Sequence, residues 1–114
     1  MKLYIKRNQA SGMLGGIKFE LSGRVELTPE EAALIKKYKV EKQTLAKKEI
    51  KIPFTSRALV VDVTIGSLVS GQTFKCDEIG DIMEYESVLK SCCQNFKLYI
   101  EAMRTFGGEE VVEF

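Results

Sequence analysis

The 114-residue chain contains no histidine and no tryptophan, only two prolines, and an odd three cysteines. Histidine is the side chain whose ordinary pKa lies nearest neutrality, and it is the commonest general base and metal ligand. Without it, Ser-His and Cys-His nucleophile pairs are impossible, as is any zinc site that needs imidazole. Paired carboxylates or a lysine remain available, so enzymes are disfavoured rather than excluded. The expectation is a non-enzymatic protein with no catalytic residues and no cofactor.

Cys76, Cys92 and Cys93 do not form a metal or redox pattern. Such sites want two thiolates separated by two to four residues across a tight turn. Neighbouring residues on a helix point about 100° apart, so Cys92 and Cys93 are badly placed to chelate one ion. Free cysteine is among the most buried residue types, and core packing with no metal is the expectation. Long apolar runs are also missing: Ala58–Val61 is typical of the longest, far short of the ~20 residues needed to cross a bilayer. The basic start, Met1 to Arg7, has no apolar stretch behind it to make a secretory signal. A cytoplasmic home, with no membrane partner, is expected.

What is present suits one domain spanning 1–114: 45% hydrophobic and 29% charged residues, with neither internal repeat nor linker. Leu3 and Ile5 alternate with Lys2, Tyr4 and Lys6, the period of a half-buried strand. Residues 8–16 read as a loop. Ile17, Phe19, Leu21, Val25 and Leu27 share one parity, a second strand in which Gly23 marks a twist or bulge. Thr28-Pro29-Glu30-Glu31 is a helix start: Thr28 and Glu31 have the spacing of a capping box, and proline suits the first helical position. Leu27 and Ala32 have the spacing of a hydrophobic staple. Residues 39–47 are either a fraying helix or an exposed strand. Ile50, Ile52 and Phe54 suggest an edge strand ending near Pro53, whereas Leu59, Val61, Val63 and Ile65, with Val60 also apolar, suggest a central one. Residues 66–71 read as a turn or a single helical turn closing at Gly71. Residues 72–76 form a short strand, 77–106 a long helix, and 110–114 a possible last strand.

The long helix carries the strongest pattern. Apolar positions recur every seven residues in three rows: Ile79, Glu86, Cys93, Ile100; Ile82, Leu89, Phe96, Met103; and Tyr85, Cys92, Tyr99, Phe106. A strict heptad drifts about 20° per repeat on a straight helix, so its seam winds around what covers it. Thirty residues span about 45 Å, whereas a spherical body of this size would be only about 34 Å across. The overhang predicts an apolar surface seeking a partner, with Ile79, Ile82, Tyr85, Glu86, Leu89, Phe96, Tyr99, Ile100, Met103 and Phe106 as the candidate interface of a homodimer. The competing arrangement lays one broad face across a twisted sheet, with a bend near Gly80 or a frayed end. Glu86 interrupts its row; it specifies register, sits at the edge of the seam, or, least plausibly, is catalytic.

Charge is divided unevenly. Residues 1–57 carry 13 basic and 6 acidic side chains (+7), and residues 58–114 carry 4 and 10 (−6). The basic half is densest at Lys36, Lys37, Lys39, Lys42, Lys47, Lys48 and Lys51, candidate phosphate contacts of a nucleic-acid-binding protein. Arginine is absent there and Tyr38 is its one aromatic, so solvated lysines guarding a helix and an edge strand explain the run as well. The loop Ser11-Gly12-Met13-Leu14-Gly15-Gly16 resembles a phosphate loop only in its glycines; Met13 and Leu14 are expected to tuck into the core rather than touch a partner.

Together these features predict an α+β fold: a mainly antiparallel sheet of five to six strands against one long C-terminal helix and one short helix. The function expected is a small protein-interaction module, homodimeric through the long helix and open to a second protein. A nucleic-acid-binding accessory role through residues 36–51 is the alternative.

Overall fold

In the computed structural model, the described residues are 1–11, 17–51, 54 and 58–114. The fold is α+β, with the elements in the order β1 (Lys2–Ser11), β2 (Ile17–Glu26), α1 (Pro29–Tyr38), β3 (Thr44–Lys51), β4 (Ala58–Thr64), α2 (Ile65–Ser70), β5 (Gln72–Cys76) and α3 (Ile79–Thr105). The five strands form two antiparallel sheets rather than one, ordered β1-β2-β5 and β3-β4. Strand periodicity shows which side chains point inward, but it does not name a strand's neighbour.

The β1–β2 ladder runs from Lys2 opposite Glu26 to Ser11 opposite Ile17. Residues 8–11, expected as loop, therefore belong to a strand whose polar composition hid its period. Met13 and Leu14, with Ile52 and Pro53, lie outside the described residues. On the other side of β2, β5 pairs from Phe19 opposite Cys76 to Gly23 opposite Gln72. In β4, Leu59, Val61 and Val63 are buried while Val60 and Asp62 face outward. The strand expected to be central thus belongs to a two-stranded sheet with one face exposed. Its partner β3 is bulged between Thr44 and Ala46, and Lys39 (φ 54) ends α1 before it.

Local signals behave as the chemistry of their residues requires. Thr28 Oγ1 accepts from the Glu31 N–H at 3.2 Å, and the Thr28 N–H donates to Glu31 Oε1 at 2.9 Å. Thr64 and Ser67 repeat the box at the start of α2, which closes at Gly71 with φ 106, a conformation glycine takes without strain. Two further donors at that start are satisfied by the turn after α1: Ile65 N–H donates to the Gln43 carbonyl (3.0 Å) and Gly66 N–H to the Glu41 carbonyl (2.8 Å). A Cβ at Gly66 would stand 2.9 Å from that Glu41 oxygen, so only glycine lets α2 come this close to the turn.

Glu31 yields a pH prediction. The residue is only 4% exposed. Burial pushes its pKa up, but the Thr28 N–H, the Met1 α-ammonium at 3.1 Å and the Thr28 hydroxyl together outweigh burial and hold it below the usual carboxylate range. A depressed folded pKa means that the stabilisation is complete above the unfolded value and is lost as pH falls through the folded one. Urea midpoints should therefore fall below about pH 4.5. Glu31→Gln should lower stability at neutral pH by about 1 kcal/mol and flatten that acid slope.

α3 runs unbroken through Gly80 for 27 residues, or about 40 Å. The molecule is elongated, 61 × 33 × 18 Å with a radius of gyration of 17.3 Å, against about 13 Å for a compact sphere-like domain. Its long dimension exceeds the helix, and this is why the predicted overhang does not arise. Along its length α3 crosses both sheets: Tyr85 stacks on Phe74 of β5 at 4.2 Å, Leu89 lies against Gly23 of β2, and Asn95 Nδ2 donates to the Leu45 carbonyl of β3 at 3.4 Å. A single apolar cluster joins both sheets and all three helices, with Phe96, Leu89, Leu21, Val61, Val63, Ile65 and Leu68 fully enclosed. Residues 110–114 form no strand and leave Val111, Val112 and Phe114 exposed.

Candidate functional site

The heptad rows of α3 are covered by the chain itself. Ile82, Tyr85, Leu89, Phe96, Ile100 and Met103 are all buried, each at most 8% exposed. In this fold they are enclosed by their own chain, so the surface expected to form a dimer seam is not exposed at these six positions. Their spacing fits a broad face packed on two sheets, the competing arrangement, without its bend. Ile79 and Phe106 are exposed at the two ends, and Tyr99 is half-buried at the margin. Phe106 packs edge-on against Tyr38 at 5.7 Å, tying the end of α3 to the end of α1. Glu86 sits at the edge of the seam, ion-paired to Arg7 of β1 and to Lys90 one turn on.

The seven lysines are all exposed, but they do not share a surface. Lys36, Lys37 and Lys39 lie on α1 and its cap. Lys47 and Lys51 stand on the outer face of the β3–β4 sheet, opposite Asp62 and Ala58. Lys48 is on the other face, opposite buried Val61 and near enough to Cys92 to act on its ionisation. A phosphate backbone tracking this segment would have to pass from one side of the sheet to the other.

The thiols are subdued. Burial, with the neighbouring Cys92, pushes Cys93 up to about 11, and burial pushes Cys92 up against the opposing charge of Lys48. At pH 8 an aromatic disulfide reagent should leave both unmodified in the folded protein and titrate all three cysteines in denaturant. Rapid native labelling of Cys92 or Cys93 would contradict this burial. Among the described residues, no group of three or more cysteines and carboxylates is placed to hold a metal ion. No helix of the described residues is long and apolar enough to cross a membrane.

A different feature has the form of a binding site. Leu27, Ala32 and Ile35 on one side, and Ile65 and Val69 on the other, line a groove between α1 and α2 of about 490 Å³. That volume lies within the range of sites that take small ligands or inserted side chains. Gly66 and Ser70 form part of α2's wall, and Lys36 and Glu41 are the charged residues on the lining. The Gly66–Glu41 contact holds the start of α2 against the turn that follows α1, and both residues line the groove. With Lys37, Lys39 and Lys42, residues 36–42 carry four lysines against one glutamate. The groove is apolar inside; its two charged lining residues are of opposite sign, and Lys37, Lys39 and Lys42 are their neighbours in sequence. In comparison with known proteins, no family model, curated protein or solved structure matches the chain.

The pattern of single residues hid this site. Leu27 and Ala32 stand out in sequence only as a staple, and Val69 only as part of a turn. Their common groove depends on α2 docking beside α1, which is fixed by two backbone hydrogen bonds between residues far apart in the chain.

Proposed function

We propose that this chain is a non-enzymatic protein-binding module whose contact surface is the α1–α2 groove, and that it recognises a short segment with an apolar anchor and acidic neighbours. The observation that carries this is the coincidence of an open apolar groove with the lysines of residues 36–42. An apolar side chain seated between Leu27, Ile35 and Val69 would lose its water, and acidic flanks would meet Lys36 and its neighbours. The enclosed rows of α3 leave the groove as the better-supported contact.

Peptide selection against the full chain tests the proposal. The enriched sequences should carry a large apolar residue flanked by Asp or Glu, and amide chemical-shift changes should centre on Ala32, Lys36, Val69 and Ser70. Ala32 is exposed on a helix, so Ala32→Glu keeps helix propensity while placing a carboxylate on the groove wall; it should weaken binding at least about tenfold. No enrichment, or shifts confined to another face, would overturn the proposal.

A further inference from the structure

The structure contains a segment with the chemistry the groove requires. After α3, residues 109–114 read Glu-Glu-Val-Val-Glu-Phe. Val111 is 80% exposed, Val112 60% and Phe114 fully exposed, so three apolar side chains interspersed with three carboxylates have no place in the chain's own core. We propose that residues 109–114 of one copy seat in the α1–α2 groove of a second copy, making the protein a homodimer by exchange of this segment. The proposal rests on the groove's role in protein binding argued above.

Three observations support this occupant. Charge is opposite in sign: residues 109–114 carry three glutamates, and residues 36–42, which give Lys36 and Glu41 to the lining, carry four lysines and one glutamate. The root of the segment is fixed beside the groove: Phe106 packs on Tyr38, and the Tyr38 hydroxyl donates to the Phe106 carbonyl at 3.5 Å, on the helix that supplies Ala32 and Ile35. A copy that inserts its segment therefore brings its own groove close to the other copy's segment, and the exchange closes with two-fold symmetry. Finally, the start of the chain's own segment lies at a different pocket. Gly108, Glu109 and Glu110 line a crevice with Arg104 and Thr105 at the end of α3, and the groove of the same chain stays open.

Light scattering coupled to size exclusion, on the full chain over a concentration series, tests the exchange. Wild type should show a concentration-dependent dimer mass. Val112→Asp with Phe114→Asp, changes at exposed positions, should raise the dimer dissociation constant at least about tenfold, and Ala32→Glu should do the same. An equimolar mixture of those two variants should regain association, because one intact segment then meets one intact groove. Circular dichroism matching wild type excludes misfolding as the cause. A wild-type monomer at all concentrations, a dimer indifferent to both variants, or a mixture that stays monomeric would overturn the exchange. If selected peptides still occupy the groove in those cases, the binding module stands and only this occupant is wrong; if no peptide binds, both fall.

Discussion

Replacing Phe96 by alanine is expected to cost about 3–5 kcal/mol, a large part of the about 5–15 kcal/mol that holds a typical domain together. Phe96 is 0% exposed and belongs to the apolar cluster shared by both sheets, and its neighbours are held on rigid elements that cannot close around the lost ring. The control lies two residues further along the same helix. Leu98 is 63% exposed, and Leu98→Ala should change stability by no more than about 0.5 kcal/mol. Urea unfolding followed by circular dichroism measures both. The protein concentration adds a second discrimination. If the ring is buried by its own chain, the Phe96→Ala loss is the same at low and high concentration. If it were buried by a second copy, the loss would grow as dilution separates the protomers. A small loss, or one that depends on concentration, would return α3 to the role of an intermolecular seam.

That contrast shows how far residue patterns carry. The capping box of Thr28 and Glu31 is legible because it is complete within four residues, and the period of α3 because it repeats along one helix. What covers that helix is a question of body shape. A compact sphere would have left two turns uncovered; an elongated body with two sheets covers Ile82 through Met103. The division into two sheets is equally invisible locally, since β4 alternates as any half-buried strand does, and nothing in Leu59, Val61 or Val63 says that its hydrogen-bonded neighbour is β3 alone. The groove is the least legible of all. It needs Gly66 to meet the Glu41 carbonyl, a contact across 25 positions of chain.

Gly23 shows how tightly one such contact is set, and it supplies the other large effect. The glycine lies in β2 between buried Leu21 and Val25, and an added Cβ would stand 2.7 Å from Leu89 Cδ1, inside van der Waals contact. The sequence marks it as a twist or bulge; in the structure its ladder to Ile5 and Gln72 is regular, and closeness of α3 to the sheet is the reason for glycine. Leu89 is 0% exposed, so its side chain can move aside only within the packed core. Gly23→Ala should therefore destabilise by about 1–3 kcal/mol through overpacking, despite the better strand propensity of alanine. Leu89→Ala should cost about 2–5 kcal/mol through the cavity it leaves. In the double variant the methyl of residue 23 enters that cavity and the clash disappears, so the combined loss should be smaller than the sum by at least about 0.5 kcal/mol. Additive losses would mean that α3 and β2 are not in contact at this point. A sub-additive cycle establishes that contact from solution measurements alone.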